Sequence, residues 1–443
     1  MDIYLERFEM NFPYVFKTYC NYYQNSFDFF VKYNKAILEA TSESYKSLHD
    51  SKLKSHEIKE IRNVMTAKFH FALGEKLSTE EISSSLSRMV DSWLNVIKAS
   101  GSDRYFNYYR DYLSAWSRLF EPIRDTVNRT PSDTIKIKGD FDLHHYKPID
   151  KKRHKTPLLV VYSLINRHYI LDLLPQSSVI NNLRNQGFEI FATDWGTHDL
   201  YHKDMELEKF AHDYVGNAID KIKEITGSDK VSLFGYCWGG LFSLIYAASH
   251  PENVKNLILH ATPADMSQER VVVENWTAHL DADKLVDILG NIPGWFVNLA
   301  FILRNPVEPF LKYLFFFSKS RGFEEIQQFF AIESWLYDSG PIIGETYRDI
   351  VNKISKNNLL IKNRMRIADH LVDLNQIRMP VLNILGLYDD IISPQSSRTI
   401  ISVVGSKDKK LIEFPTGHVG LCISKKAHEQ LWPEVGNWLS QRS

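Results

Sequence analysis

The chain has 443 residues, 44% of them hydrophobic and 24% charged, with a formal net charge of −1. That balance suits one large domain plus a smaller one and leaves no electrostatic footprint for a nucleic-acid partner. Three cysteines, Cys20, Cys237 and Cys422, are too few and too odd in number for a disulfide framework, and they point to a reducing, cytoplasmic setting.

The opening MDIYLERFEMNF carries charges and no continuous apolar core, so no secretory signal is expected. Residues 1–132 read as a helical region, with Tyr, Phe and Leu recurring at mixed three and four spacing. In LSTEEISSSLSRMVDSWLNVI, Leu77 to Ile97, either Ser78 or Thr79 is suited to cap a helix whose first turn holds Glu80 and Glu81. No catalytic pattern occurs there, which leaves a packing or partner-binding role.

From residue 133 the texture changes. TIKIKGDFDLHHYKP predicts two short strands around Gly139-Asp140. The basic run Lys151 to Lys155 reads as a solvated loop. Six apolar runs follow, at 157–163, 188–195, 230–235, 256–262, 381–390 and 410–417. Each is short and nearly continuous in Val, Ile, Leu and Phe, as strands buried on both faces are. Their alternation with helical stretches predicts an α/β architecture with a doubly wound, mostly parallel sheet over 133–443. The gap at about 263–378 is too long for one crossover and predicts a helical cap inserted over the sheet's carboxyl edge. Within it, Trp295 to Phe317 is the most apolar window. Arg304, Asn305, Pro306, Glu308, Pro309 and Lys312 interrupt it, so no transmembrane segment is expected. Core packing is the first reading of this window; a lid or an exit surface is the second.

Gly235-Tyr236-Cys237-Trp238-Gly239 has the spacing of a nucleophile elbow, with glycines where side chains would collide. The turn lifts a thiol above the sheet at a helix N-terminus, where the dipole favours a thiolate and a developing oxyanion. The order nucleophile, acid, His is then completed by Asp389 and His418, each at the end of an apolar run. Asp390 competes with Asp389, and the GxxD spacing favours Asp389. His250, His260 and His428 lack a strand-end context. The backbone N–H of Trp238 supplies one oxyanion donor. The second is expected from the loop Ser163 to Asn166, where Leu164 and Ile165 are both candidates. A cysteine exchanges acyl groups with a thioester at nearly balanced energy. This points to acyl transfer to an acceptor other than water, although cysteine elbows also occur in hydrolases. No metal and no cofactor are expected, and neither GxGxxG nor a P-loop occurs.

Over about residues 133–440 the sequence resembles the poly(3-hydroxyalkanoate) synthases, most closely the class III catalytic subunit, on an α/β-hydrolase fold. The blocks that carry the resemblance are PLLVVYSLINRHYILDL, DWG (Asp194 to Gly196), GYCWGG, TPAD (Thr262 to Asp265), WLYDSGPIIG (Trp335 to Gly344), VDLNQIRMPVLNI and GHVG. It implies polymerisation of 3-hydroxyacyl-coenzyme A with release of coenzyme A through a Cys237, Asp389, His418 triad and a covalent acyl thioester. It also implies a growing polyester chain as second substrate, a polymer granule surface as location, and an accessory subunit or a second copy as partner. Asp390 stands where the family often has His, and Ser393 where it often has Pro. Trp238 is bulky for its position. The helical region is longer than usual, which suits replacing or binding the accessory subunit. A cysteine thioesterase or polymer depolymerase, releasing free hydroxy acid, is the nearest rival reading. A catalytically idle granule or scaffold protein is the other. Trp335 and Asp338 are candidates for the pocket mouth or simply for cap packing, and Cys422 for an inert core thiol.

Overall fold

The computed structural model describes Asp91 and residues 129–443, apart from 139–140, 150–153, 197–201, 268–270, 305–311, 313–315, 317–322 and 368–369. The expected N-terminal helices with their Ser78 or Thr79 cap, Cys20, the turn at Gly139-Asp140 and most of the basic run at 151–155 lie outside the described residues.

Each apolar run becomes a strand. The hairpin β1 (Asp133–Ile137) and β2 (Phe141–Tyr146) is antiparallel, with Ile137 opposite Phe141. The runs then give β3 (Leu158–Val161), β4 (Ile190–Asp194), β5 (Val231–Tyr236) and β6 (Val254–His260). After a two-residue pair, β7 (Arg366–Ile367) and β8 (His370–Leu371), come β9 (Val381–Gly386) and β10 (Lys409–Phe414). The main sheet has eight strands in the order β1-β2-β4-β3-β5-β6-β9-β10. β2 runs antiparallel to β4, and every pairing from β4 to β10 is parallel. Burial follows position. β3, β5 and β9, inside the sheet, are buried at every residue, whereas the edge strand β10 is only partly covered.

The helices α2 (Val215–Thr226) and α3 (Trp238–Ser249) pack against the sheet, and α1 (Val179–Asn185) packs against the C-terminal helix at Trp432–Ser440. α3 is apolar all round and buried from Trp238 to Ala248, so it is a core helix enclosed on every side. Between β6 and β9, neighbours in the sheet, the chain inserts α4 (Val272–His279), α5 (Ala282–Leu289), α6 (Gly294–Arg304), α7 (Phe323–Leu336) and α8 (Gly344–Asp349). Four shorter or terminal helices complete the described chain: α9 (Pro394–Arg398), α10 (Ile400–Val403), α11 (Gly420–Ile423) and α12 (Trp432–Ser440). No helix among the described residues is long and apolar enough to cross a membrane.

Parallel register brings the strand ends to one edge. Val161 lies opposite Gly235, Tyr236 opposite His260, His260 opposite Ile384, and Gly386 opposite Phe414. Residues one to four positions beyond these pairs therefore emerge side by side.

Candidate active site

Cys237 is the single residue between β5 and α3, with φ 53° and ψ −120°. For a side-chain-bearing residue this is a strained backbone, costing about 1–3 kcal/mol. The surroundings enforce it: the Cys237 N–H donates to the His260 carbonyl at 2.9 Å, and its own carbonyl accepts the Gly240 N–H at 2.9 Å. The flanking glycines are steric necessities. A Cβ on Gly235 would lie 2.5 Å from Gly240 Cα, and one on Gly239 would lie 2.0 Å from the Val161 carbonyl oxygen. The expected reason for glycine at both positions is thus met atom by atom.

Asp389 and His418 follow β9 and β10. Their loops are tied together by the Leu387 N–H donating to the Phe414 carbonyl (2.8 Å) and the Tyr388 N–H to the Thr416 carbonyl (3.0 Å). Asp389 Oδ2 lies 2.7 Å from His418 Nδ1. A carboxylate has no proton to give, so Nδ1 carries the hydrogen and Nε2 is left for the thiol. The other oxygen, Oδ1, accepts the Ile391 and Ile392 N–H groups at 2.9 Å each, which satisfies a carboxylate that is almost wholly buried. His418 is buried, and Cys237 lies close enough to act on its imidazole. Burial pushes its imidazole down, but the charge and hydrogen bond of Asp389, together with Cys237, outweigh that and hold it above its ordinary value. The structure therefore brings the three sequence-derived residues together at the sheet's carboxyl edge, with Asp389 and His418 hydrogen-bonded and Cys237 beside the imidazole.

This chain lines a cavity of about 1030 Å³. Its floor includes Tyr236, Cys237, Trp238 and His418 from the sheet edge; its roof includes Trp276, Phe296 and Trp335 from the insert. Ser163, Ile165 and Asn166 also line it, whereas Leu164 is buried beside it and is not among the lining residues. The Ile165 N–H donates to Ser163 Oγ at 3.1 Å. Trp238, bulky though it is, opens the core helix with its ring against the cavity.

Several contacts join the insert to this edge. Trp335 Nε1 donates to the Arg167 carbonyl at 2.8 Å. Arg304, at the end of α6, pairs with Asp390. Glu274, in the first turn of α4, accepts the Ser393 N–H at 3.2 Å and the Val271 N–H at 3.1 Å. Glu274 was not apparent in the sequence, where a Glu in a first helical turn reads only as a capping residue. Burial drives its carboxyl up to about 7 against the pull of these two N–H donors. Its partner also gives Ser393 a physical role: a proline there has no N–H to donate. Asp338 accepts from Tyr169 Oη at 2.8 Å and closes the turn after α7.

The remaining candidates fall elsewhere. His250 bonds His212 at 2.9 Å, and His428 Nε2 donates to the Cys422 carbonyl at 2.7 Å. His260 does end β6, contrary to the sequence expectation, yet its ring is sealed among Tyr236, Phe234 and Trp432 and is absent from the cavity wall. Cys422 is fully buried, and burial pushes its thiol well up. In the apolar window, Phe296 and Val297 of α6 are buried and also line the cavity, so core packing and a place in the site coincide there.

The parallel sheet with a thiol at its strand-to-helix elbow defines an α/β-hydrolase-fold protein, and a family model described as the alpha/beta hydrolase fold matches residues 156–422. A second model, described as the N-terminus of poly-beta-hydroxybutyrate polymerase (PhaC), matches residues 118–183. The "Poly(3-hydroxyalkanoate) polymerase subunit PhaC" of Haloferax mediterranei is 35% identical over 337 residues, covering 75% of this chain and 68% of that protein. The proteins of the same name from Allochromatium vinosum and Synechocystis sp. are 34% and 32% identical, covering 65% and 71% of this chain and 81% and 86% of theirs. The chain belongs to the poly(3-hydroxyalkanoate) polymerase family.

Proposed function

We propose that the chain is an acyltransferase that polymerises 3-hydroxyacyl-coenzyme A, using Cys237 as nucleophile, His418 as general base and acid, and Asp389 to orient His418. The observation that carries this reading is the grouping of Asp389, hydrogen-bonded to His418, with Cys237 at the floor of a largely apolar cavity. His418 Nε2 takes the Cys237 proton, and Sγ attacks the thioester carbonyl. The carbonyl oxygen becomes anionic beside the Trp238 N–H, at the start of α3, where the dipole and free donors favour charge. A second donor comes from the loop holding Leu164 and Ile165. Collapse breaks the bond to the coenzyme A sulfur, which leaves with the proton from His418. His418 then takes the proton of an incoming 3-hydroxyl, whose oxygen attacks the acyl thioester and frees Sγ. Each cycle lengthens the polyester by one unit; coenzyme A arrives as part of the substrate and no cofactor enters.

The roof formed by the insert supports transfer over hydrolysis, because it lines the cavity with rings and aliphatic groups where a growing chain replaces water. The relatives' description as polymerase subunits supports a partner, an accessory subunit or a second copy; in this reading residues 1–132 bind or replace it. An insoluble polyester product places the protein at granules in the cytoplasm.

The test is the purified chain with 3-hydroxybutyryl-coenzyme A, following coenzyme A release while separating polymer from free acid. Polymer is expected. Free 3-hydroxybutyrate as the main product would establish the hydrolase reading instead. No turnover, with no substrate protection of Cys237 from iodoacetamide, would make the chain a non-catalytic granule protein.

A further inference from the structure

On the far side of the sheet from Asp389, three side chains converge that the reaction does not use. His144 projects from β2, Asp194 is the last residue of β4, and His168 opens the helical turn that follows the β3 loop. His144 Nε2 lies 3.4 Å from Asp194 Oδ2, and His168 Nδ1 lies 3.5 Å from Asp194 Oδ1. The two imidazoles stack at 4.8 Å between centroids. We propose that His144, His168 and Asp194 form a binding site for a divalent transition-metal ion of the Zn2+ type.

The spacing carries the argument. Zn2+ binds imidazole nitrogen and carboxylate oxygen at about 2.0–2.2 Å, which sets ligand atoms of a tetrahedron about 3.4 Å apart. Each imidazole nitrogen lies near that distance from one oxygen of Asp194, His144 from Oδ2 and His168 from Oδ1, and one ligand atom from each residue lies within 4.8 Å of the others. The two nitrogen-to-oxygen separations are long for hydrogen bonds. His168 Nδ1 is shut off from solvent and makes no hydrogen bond of normal geometry, Asp194 Oδ1 lying 3.5 Å away, so in the Nε2–H tautomer its lone pair is open to a ligand bond. A metal at the centre of the trio would take it.

The surroundings suit the same ion. Two imidazoles and a carboxylate are the ligand set that zinc and its neighbours accept, with water in the fourth position. When Nε2 of His144 binds the metal, its Nδ1–H points at Ser132 Oγ, 3.4 Å away; the Gly196 N–H donates to Asp194 Oδ1 at 3.0 Å. Such outer contacts orient ligands. The three side chains are 18–27% exposed, open enough for entry yet partly desolvated.

None of the trio lines the catalytic cavity, which makes the ion structural. It would clamp β2, β4 and the chain leaving β3. Arg167, next to His168, donates to the Gly196 carbonyl at 2.8 Å, so the clamp ends beside the Ser163 to Asn166 loop.

The full chain, stripped with EDTA, would be titrated with Zn2+ by calorimetry and with Co2+ by visible absorption. One equivalent, a tetrahedral Co2+ spectrum without thiolate charge-transfer bands, and a metal-dependent rise in thermal midpoint are expected. His168→Ala and Asp194→Asn should each weaken binding by at least about tenfold, while Cys237→Ala leaves it unchanged. The absence of saturable binding, thiolate bands in the Co2+ spectrum, or binding unaltered in both variants would overturn the site and leave a hydrogen-bonded trio only. Should the variants not fold, the unmutated chain's Co2+ spectrum and EDTA-dependent midpoint decide. These readings do not depend on turnover, so they stand or fall apart from the polymerase mechanism.

Discussion

The sheet edge and the insert above it hold the same cavity by different means. At the edge, the main chain does the positioning: strand register sets where Cys237, Asp389 and His418 emerge, and glycines permit the close approach of the elbow. From the insert, the links that face the cavity are mostly side chains: Trp335 to a carbonyl, Arg304 to Asp390, Glu274 to a backbone N–H. Backbone register is all-or-none, because one residue of slip reverses every side chain. Side-chain links are graded and individually dispensable. The chemistry should therefore be intolerant of change at the edge, and substrate access tunable from the insert.

The largest expected effect is on Cys237. Cys237→Ala should lower coenzyme A release by at least about a thousandfold with an unchanged far-UV spectrum, as nucleophile removal does elsewhere; turnover near that of the unmutated chain would break the contrast at its centre. Next is Gly239→Ala, whose new methyl carbon would sit 2.0 Å from the Val161 carbonyl oxygen. It should lose about 1–3 kcal/mol in denaturant melts as well as activity.

Asp389→Asn keeps the shape but removes the charge that holds His418 up. The activity should fall by about a hundredfold or more, and the alkaline limb of the rate profile should move to lower pH. Stability gives a second reading. His418 has a folded value above its unfolded one of about 6.5, so its contribution is complete below that pH and declines as pH rises towards the folded value. The Asn variant should show a flatter decline above pH 6.5.

Smaller effects belong to the insert. Arg304→Ala should raise KM several-fold with kcat nearly kept; an equal loss in kcat would mean that α6 positions the triad as well as roofing it. Glu274→Gln should change least. Its carboxyl titrates at about 7 in the fold and near the ordinary 4.5 outside it. Its contribution is full below the lower value and lost as pH rises to the higher one. The Gln variant should lack that fall in the thermal midpoint, while still accepting the Ser393 N–H.

How much of this was legible beforehand divides along the same line. The strands are readable because burial on both faces leaves continuous apolar runs, and the triad because each member stands at the end of a run. The length of the gap after β6 revealed an insert, but its contacts did not show. Trp335 meets Arg167 across 168 positions and Ser393 meets Glu274 across 119, and no local pattern records such pairs. His260 was misjudged for a related reason: strand-end placement was inferred from run boundaries, which drifted by two residues. His144, His168 and Asp194 come from three separate elements, each ordinary in its own neighbourhood.

The insert departs from β6 and rejoins at β9, the very next strand. Its two stems thus enter the sheet about 5 Å apart, like the legs of a single staple. A module attached that way can be lengthened, shortened or exchanged with little consequence for the platform beneath, since loop-closure entropy grows only logarithmically with length. Chimeras that graft a foreign roof between Ala261 and Pro380 should keep the triad assembled while changing which hydroxyacyl units are admitted.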